Sequence, residues 1–172
     1  LGTLANGRDI LFIELINKLK NSNKLINFDI FGRLSLKLIL SIKSLLLKNS
    51  NISVNYFETI QRSEIYKLSK NYNLGLQLNA DQYPFLVSTK VYEYPALLLP
   101  QISISRKGYI NKLILDNGLG EVINLQENEK QIIEKIENAS QNYDIDKLYK
   151  FAVKSTFINR AKQYSELIES FK

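Results

Sequence analysis

The sequence predicts an α/β fold, namely a doubly wound, Rossmann-like parallel sheet flanked by helices, with further helices at the C-terminal end. Two observations predict it. The chain has 172 residues, of which 45% are hydrophobic, so it is long enough to bury one substantial core. Strand-like stretches alternate with amphipathic helices along most of the chain, and a helix between two strands favours parallel pairing of those strands.

The first half of the chain contains helix-like and strand-like stretches in alternation. Helices are predicted where apolar residues recur every three or four positions, over residues 8–20, 34–48 and 62–70. Strands are predicted where apolar and polar residues alternate or β-branched residues gather, over residues 24–31, 51–57 and 74–78.

The second half begins with a helix predicted over residues 88–99. Pro95 lies inside it and should shorten or kink it, because proline has no N–H group to donate. Two strands are predicted next, and the helix between them is expected to end at Asn117-Gly118. These strands cover 101–105 and 121–124, and the helices cover 109–116, 127–138, 145–154 and 156–171.

The start of the sheet does not fit this pattern. A doubly wound sheet should open with a central strand, yet only residues 1–4 precede the first predicted helix. Either residues 1–5 are the end of that strand, or the strand precedes Leu1, or a segment of a neighbouring chain fills its place.

The composition excludes several kinds of chemistry. There is no cysteine and no histidine, which rules out disulfides, zinc–sulfur sites and Ser-His or Cys-His catalytic pairs. The net charge is +6, and residues 1–50 hold eight basic against three acidic residues. Such a surplus suits a phosphate-bearing ligand, nucleic acid or an anionic membrane surface, or is simply a solvated surface. The apolar stretch 34–47 is interrupted by Lys37 and Lys43, so no membrane span is predicted.

The segment from Ser88 to Ala96 carries the most specific chemical signal. Ser88 or Thr89 suits the N-cap of the following helix, and we expect free N–H groups after it to face the ligand edge of the sheet. Lys90 adds a positive charge for a diphosphate, and Glu93, one turn on, can accept both hydroxyls of a ribose. The alternative interpretation is a surface helix cap with a Lys–Glu ion pair.

Several motifs occur along the chain in a fixed order: a glycine loop, strands that end near turns, a helix containing lysine and glutamate, and a C-terminal helix. They are Gly2-Thr3-Leu4 with Gly7-Arg8-Asp9, Phe28-Asp29-Ile30-Phe31-Gly32, Val54 to Ile60 with Glu64-Ile65, Leu74 to Leu78, Lys90-Val91-Tyr92-Glu93-Tyr94 with Ala96 and Pro100, Asn111 to Gly120, and Ser155 to Ile168. Their order and spacing resemble the C-terminal, donor-binding half of a retaining glycosyltransferase of the GT-B fold, family 4 (group 1) type.

The resemblance implies roles for individual residues. Glu93 would hold the ribose of the donor, and Arg8 and Lys90 would stabilise the diphosphate leaving group; no other catalytic residue is implied. The remaining donor-site positions are Gly2 and Thr3 beside the diphosphate, Gly32 after the second strand of the family fold, Thr59 and Ile60 beside the base, and Ser88 and Thr89 beside the phosphate or sugar.

The resemblance also implies a reaction and its setting. Residues 1–154 would bind a nucleotide-diphosphate sugar, and residues 155–172 would pack on an N-terminal domain that carries the site for a glycan or lipid-linked acceptor. A hexosyl group would be transferred with retention and without a metal or cofactor, and the chain alone is expected to bind donor without transferring sugar. We expect a cytoplasmic bacterial protein of polysaccharide assembly, with peripheral contact to the inner membrane and no nucleic-acid partner.

The sequence departs from the family pattern at three positions. Phe85 stands where a second glutamate would contact the donor sugar, Thr3 replaces a basic residue, and Pro95 replaces a helix-forming residue. Two other functions stay open. A GT-B-like epimerase is disfavoured because such enzymes use histidines. A non-catalytic basic domain for nucleic acid or anionic membranes is disfavoured because the basic residues are spread over helices rather than interleaved with aromatic residues on one element.

Overall fold

The computed structural model describes residues 4–46, 51–80, 87–105 and 108–169. Helices and strands alternate along these residues until three helices close the chain. In chain order they are α1 (Arg8–Leu19), β1 (Ile26–Phe31), α2 (Leu36–Leu46), β2 (Ile52–Phe57), α3 (Arg62–Leu68), β3 (Gly75–Leu78), α4 (Lys90–Ala96), β4 (Gln101–Ile104), α5 (Tyr109–Asp116), β5 (Gly120–Ile123), α6 (Glu129–Gln141), α7 (Ile145–Lys154) and α8 (Phe157–Glu169).

All strand pairs in the described residues are parallel. β1 pairs with β2, from Ile26 opposite Ile52 to Phe31 opposite Phe57. β4 lies between β3 and β5 in a second, three-stranded sheet. Parallel strands joined by helices confirm the predicted α/β class, and the architecture is compatible with a Rossmann-like fold.

Helices cover the three-stranded sheet on both faces. On one face, α1 and α6 bury apolar side chains against Ile102, Ile104 and Ile123. α2 joins this layer, because its Leu38 and Ile42 pack in a cluster with residues of α1. On the other face, the buried side chains of α4, α5 and α7 form a separate cluster, which contains Val91, Ile110, Ile114, Leu148 and Phe151. Parallel sheets are normally covered in this way.

Most predicted boundaries agree with the structure to within a few residues. The helices predicted over 109–116 and 145–154 have those bounds. α6 begins two residues later than predicted, because Asn128 caps it: the Asn128 side chain accepts the N–H of Gln131, and the Gln131 side chain accepts the N–H of Asn128. Of residues 1–5, proposed as the end of a first strand, residues 1–3 lie outside the described residues, and residues 4 and 5 are not part of a strand.

Pro95 shortens α4, as predicted. The helix covers Lys90–Ala96 rather than 88–99, and Pro95 is buried inside it. Because Pro95 has no N–H, the carbonyl of Val91 one turn earlier loses its usual helical donor. The Gln101 side chain of β4 replaces that donor through Nε2, at 3.1 Å from the Val91 oxygen. The break in the helix is therefore repaired by a side chain of the neighbouring strand.

Among the residues that the structure describes, none of the helices is both long and apolar enough to cross a membrane.

Candidate functional site

A cavity of ≈ 520 Å³ opens between β1 and β3. Phe12 of α1 lines one wall, and Leu68 of α3 and Leu97 after α4 line another. Polar residues reach it from the segments that follow the carboxyl ends of the strands, where ligands bind in open α/β sheets. They are Ser88, Thr89 and Lys90, and the cavity is also lined by Arg8 at the start of α1 and by the apolar Ile60. We call these residues the rim of the cavity.

Lys90 and Arg8 approach each other at this rim, although they are far apart in the sequence. Burial lowers the pKa of Lys90; the nearby carboxylate of Glu93 opposes that shift, and the positive charge of Arg8 adds to it. Lys90 Nζ lies 3.7 Å from Glu93 Oε2, and the two side chains are 23% and 32% exposed. Two cations of the rim, Arg8 and Lys90, thus lie near each other in a partly buried position, and Glu93 contacts Lys90 without itself lining the cavity.

The start of α4 differs from the sequence expectation. Thr89 is the N-cap residue, but its side chain makes no capping hydrogen bond. The N–H of Lys90 donates to Ser88 Oγ at 3.3 Å, and that of Val91 donates to the Ser88 carbonyl at 3.2 Å. The N–H groups of Tyr92 and Glu93 both donate to the Thr89 carbonyl. The expectation of free N–H groups here is therefore wrong for residues 90–93, because the tight first turn engages all four within the chain.

The remaining donor-site positions are only partly brought together. The N–H of Gly32 donates to the Phe57 carbonyl at 3.1 Å, which extends the β1–β2 ladder by one residue. Ile60 lines the cavity, whereas Thr59 is exposed. Gly2 and Thr3 lie outside the described residues, as does Phe85 in the loop before Ser88.

Sequence reasoning missed a polar network at the carboxyl end of β4. Asn79 Nδ2 donates to Ser103 Oγ at 3.0 Å, and the hydroxyls of Ser103 and Ser105 both donate to Asn111 Oδ1, at 3.3 and 2.7 Å. Both serines are buried. The signal was present in the sequence, because Gln101, Ser103 and Ser105 place polar residues at every second position of an otherwise apolar strand.

A second group of polar contacts lies deeper, along the α4 side of the cavity. The Gln77 side chain donates through Nε2 to Gln101 Oε1, while its own Oε1 has no hydrogen-bond partner, although Gln77 is only 2% exposed and lines the cavity. Tyr94 Oη donates to the Leu76 carbonyl at 2.9 Å. The Tyr94 ring packs directly on Gly75, where a Cβ atom would collide with it. These contacts could not be read from local patterns, because they join strands and helices that are distant in sequence.

Within the described residues, no group of three or more acidic side chains is arranged to hold a metal ion. A scan of protein-family models and a search of curated protein sequences both find no match to this chain.

Proposed function

We propose that the chain is the nucleotide-sugar-binding, C-terminal domain of a retaining glycosyltransferase of the GT-B fold. The observation that carries the proposal is the approach of Arg8 and Lys90 at the rim of a cavity beside the carboxyl ends of parallel strands. Two partly desolvated cations at this edge suit the diphosphate of a nucleotide sugar, because charge-assisted hydrogen bonds to phosphate oxygens are strong. An anion between them also removes their mutual repulsion.

The ribose is assigned to Glu93. Its carboxylate is partly buried, one turn along α4 from the rim, and near the lysine that would hold the phosphates. A carboxylate accepts hydrogen bonds and does not donate them at neutral pH, so it can take both hydroxyls of a ribose together. Lys90 would exchange its contact with Glu93 for the diphosphate when the donor binds.

The reaction breaks the bond between the anomeric carbon of the sugar and a diphosphate oxygen. The bonding electrons leave with the nucleoside diphosphate, the acceptor hydroxyl oxygen forms the new bond to the anomeric carbon, and its proton passes to the departing diphosphate oxygen. Arg8 and Lys90 lower the barrier by stabilising the charge that develops on the diphosphate. The acceptor site would belong to an N-terminal domain, so the chain alone binds donor without transferring sugar.

Exposed apolar residues on helix α8 support the proposal that a second domain packs on this helix. Phe157 and Ile158 at its start are 77% and 70% exposed, which is unusual for neighbouring large apolar residues. Arg160 ties the helix to α4, since its guanidinium carbon lies 4.5 Å from the Tyr92 ring centroid and 4.6 Å from that of Phe157. A domain that packs on α8 would cover these exposed side chains.

The exposed surface of helix α2 supports the proposal that the protein contacts a membrane surface. It exposes Leu36 and Leu40 together with Lys37 and Lys43. An apolar and basic surface of this kind favours peripheral contact with an anionic leaflet. Together with the resemblance to the family, this surface supports the proposal that the enzyme works at the cytoplasmic face of a bacterial membrane, in the assembly of a polysaccharide.

Calorimetric titration of the 172-residue chain with UDP, GDP and ADP tests the proposal. We expect saturable binding with a preference for one base, and Lys90→Gln and Arg8→Gln should each weaken it about tenfold, as expected for the loss of about 1.4 kcal/mol from one charge-assisted hydrogen bond. Glu93→Gln should weaken binding of the preferred nucleoside diphosphate but not of inorganic pyrophosphate, which has no ribose.

Lys130→Gln is the matched control, because it removes one positive charge from an exposed position on α6. It should leave the affinity nearly unchanged. No saturable binding by the folded chain would contradict the proposal. A different result would identify a general anion-binding surface of the kind that binds nucleic acids. In that case Lys130→Gln would weaken nucleotide binding as much as Lys90→Gln does, no base would be preferred, and the affinity would fall steeply at higher salt.

A further inference from the structure

Helix α4 carries Lys90 and Glu93, but it is too short to hold its own conformation. It covers seven residues, about two turns, and contains Pro95. Helices of this length do not form alone in water, because their few hydrogen bonds do not offset the cost of nucleation. Pro95 removes one more of those bonds, since it has no N–H. The positions of Lys90 and Glu93 therefore depend on contacts between α4 and other elements.

Side-chain hydrogen bonds attach α4 to the sheet. Tyr94 Oη, in the second turn of the helix, donates to the Leu76 carbonyl of β3 at 2.9 Å. Gln101 Nε2, on β4, donates to the Val91 carbonyl at 3.1 Å. Val91 directly follows Lys90 in the chain. Of these two contacts, the one from Gln101 therefore holds the part of the helix that is nearer to the rim.

The Gln101 side chain has a single orientation that satisfies both of its neighbours. It is 0% exposed, and its Oε1 accepts a hydrogen bond from Gln77 Nε2. The Val91 carbonyl can only accept, so the amide nitrogen of Gln101 must face it and the amide oxygen must face Gln77. The reversed amide would place its oxygen against the Val91 oxygen and its nitrogen against that of Gln77. The hydrogen bonds of Gln101 thus fix its own orientation and the position of the Val91 carbonyl.

Pro95 and Gln101 depend on each other. In a regular helix, the N–H of residue 95 donates to the carbonyl of residue 91. With proline at position 95, the buried Val91 carbonyl would lack a donor, which is costly. With any other residue there, an apolar side chain at position 101 would fill the same buried space without the cost of burying an amide. Because the donor for Val91 comes from β4 and not from α4, the first turn of the helix is tied to the sheet.

We propose that Gln101 is a positioning residue of the donor site, a role that rests on the proposed function. It donates to the Val91 carbonyl in place of the N–H that Pro95 lacks. This bond holds the first turn of α4 at a fixed height on β4, with Lys90 beside the diphosphate and Glu93 beside the ribose. Gln101 is not among the residues that line the cavity, so it acts on the donor only through α4.

A double-mutant cycle of Gln101 and Pro95 tests the proposal, by calorimetry of the 172-residue chain with UDP, GDP, ADP and pyrophosphate. Gln101→Leu should weaken binding of the preferred nucleoside diphosphate about tenfold. It should weaken pyrophosphate binding less, because pyrophosphate contacts Lys90 but has no ribose for Glu93. Pro95→Ala restores an N–H for the Val91 carbonyl, so Pro95→Ala/Gln101→Leu should bind the nucleoside diphosphate within about twofold of the original affinity.

Titration of the Lys90 amine by NMR gives a readout that needs no ligand. Burial, and in addition the positive charge of Arg8, hold the pKa of Lys90 below 10.5. Gln101→Leu should move this pKa toward 10.5, because the first turn of α4 is released, and the added Pro95→Ala should lower it again. A general loss of stability would not produce this pattern.

Two variants serve as controls. Gly118→Ala strains the backbone just before β5, at the edge of the sheet opposite the rim, and should change neither the affinities nor the pKa of Lys90. Gln101→Asn keeps a buried amide, but it is one methylene shorter and should not reach the Val91 carbonyl. It should behave like Gln101→Leu, and it replaces that variant if the leucine protein does not fold.

Unchanged affinities and an unchanged pKa of Lys90 in the folded Gln101 variants would overturn the proposal. Equal losses in Gln101→Leu and in Pro95→Ala/Gln101→Leu would also overturn it, because the missing donor to Val91 would then not be the cause. If the chain bound no nucleoside diphosphate but the pKa of Lys90 followed the cycle, the proposed function would be refuted, and the positioning of Lys90 by Gln101 would be supported.

Discussion

Gly120→Ala should destabilise the fold far more than the addition of a single methyl group normally does. Gly120 has φ +148° and lies opposite Gln101 at the start of β5. An added Cβ would collide with the Gln101 carbonyl oxygen and lie 2.5 Å from the Gln101 nitrogen. These are backbone atoms of the neighbouring strand, so no side-chain rotation relieves the contact. Relief requires β5 to move away from β4.

The cost can be estimated by comparison with Gly118→Ala. Gly118 has φ +60°, and its added Cβ would lie 3.2 Å from Lys147 Cδ, the flexible part of a long side chain. That variant should lose only about 1 kcal/mol, from the left-handed backbone. At Gly120 the φ of +148° is itself a conformation that residues with a Cβ atom rarely adopt, and separation of the strands also weakens bonds such as that from the Gln101 N–H to the Leu119 carbonyl, at 2.9 Å. We expect a total loss of about 3–5 kcal/mol.

Urea unfolding of both variants measures the difference directly. A loss of this size is a large share of the about 5–15 kcal/mol that stabilises a typical domain, so Gly120→Ala should unfold at much lower urea or fail to fold. Gly118→Ala should fold and show a small shift of the midpoint. If Gly120→Ala were as stable as Gly118→Ala, the close approach of β4 and β5 at this point would be refuted.

Two further predictions concern ionisable groups. Burial, and in addition the positive charge of Arg8, hold the pKa of Lys90 in the folded protein below 10.5. Between that lowered pKa and 10.5, Lys90 is therefore protonated to a greater extent in the unfolded state than in the folded state. Stability should therefore rise with pH across this window, and urea unfolding of Lys90→Met should not show that rise. Burial, and then the hydrogen bond to Asp29 and its charge, raise the pKa of Tyr72 to about 12, so its stabilisation is complete below pH 10.0 and is lost as the pH rises through about 12. Tyr72→Phe should lower the free energy of unfolding by about 1 kcal/mol at neutral pH and should remove the loss of stability near pH 12. Denaturation of both proteins at neutral pH and near pH 12 measures the two effects.

Local signals in the sequence predict most of the fold. The bounds of α5 follow from the apolar spacing within it and from Asn117-Gly118 after it, where the Leu119 N–H closes the helix on the Ile114 carbonyl. The shortening of α4 follows from the missing N–H of Pro95. Such features depend on residues within one or two turns of each other, so a single sequence contains them.

The site could be predicted only in part, because its contacts join distant segments. The Lys90–Glu93 pair follows from helical spacing, and both interpretations of it were available from the sequence. The approach of Arg8 to Lys90, and of Ser103 and Ser105 to Asn111, depends on which strands are neighbours. The N–H groups of residues 90–93 were misjudged for a different reason: the conformation of Ser88 and Thr89, which decides where those groups donate, has no clear sequence signal.

Lys90 is the residue at which folding and the proposed function have opposite requirements. Its lowered pKa means that the charged form is less favourable in the folded protein than in water, because burial removes its hydration and Arg8 repels it. Glu93 compensates only in part, at 3.7 Å. An uncharged long side chain would fill the same space without that cost. A cation held at a destabilising position, at the ligand edge of a parallel sheet, is therefore better explained by an anionic ligand than by packing.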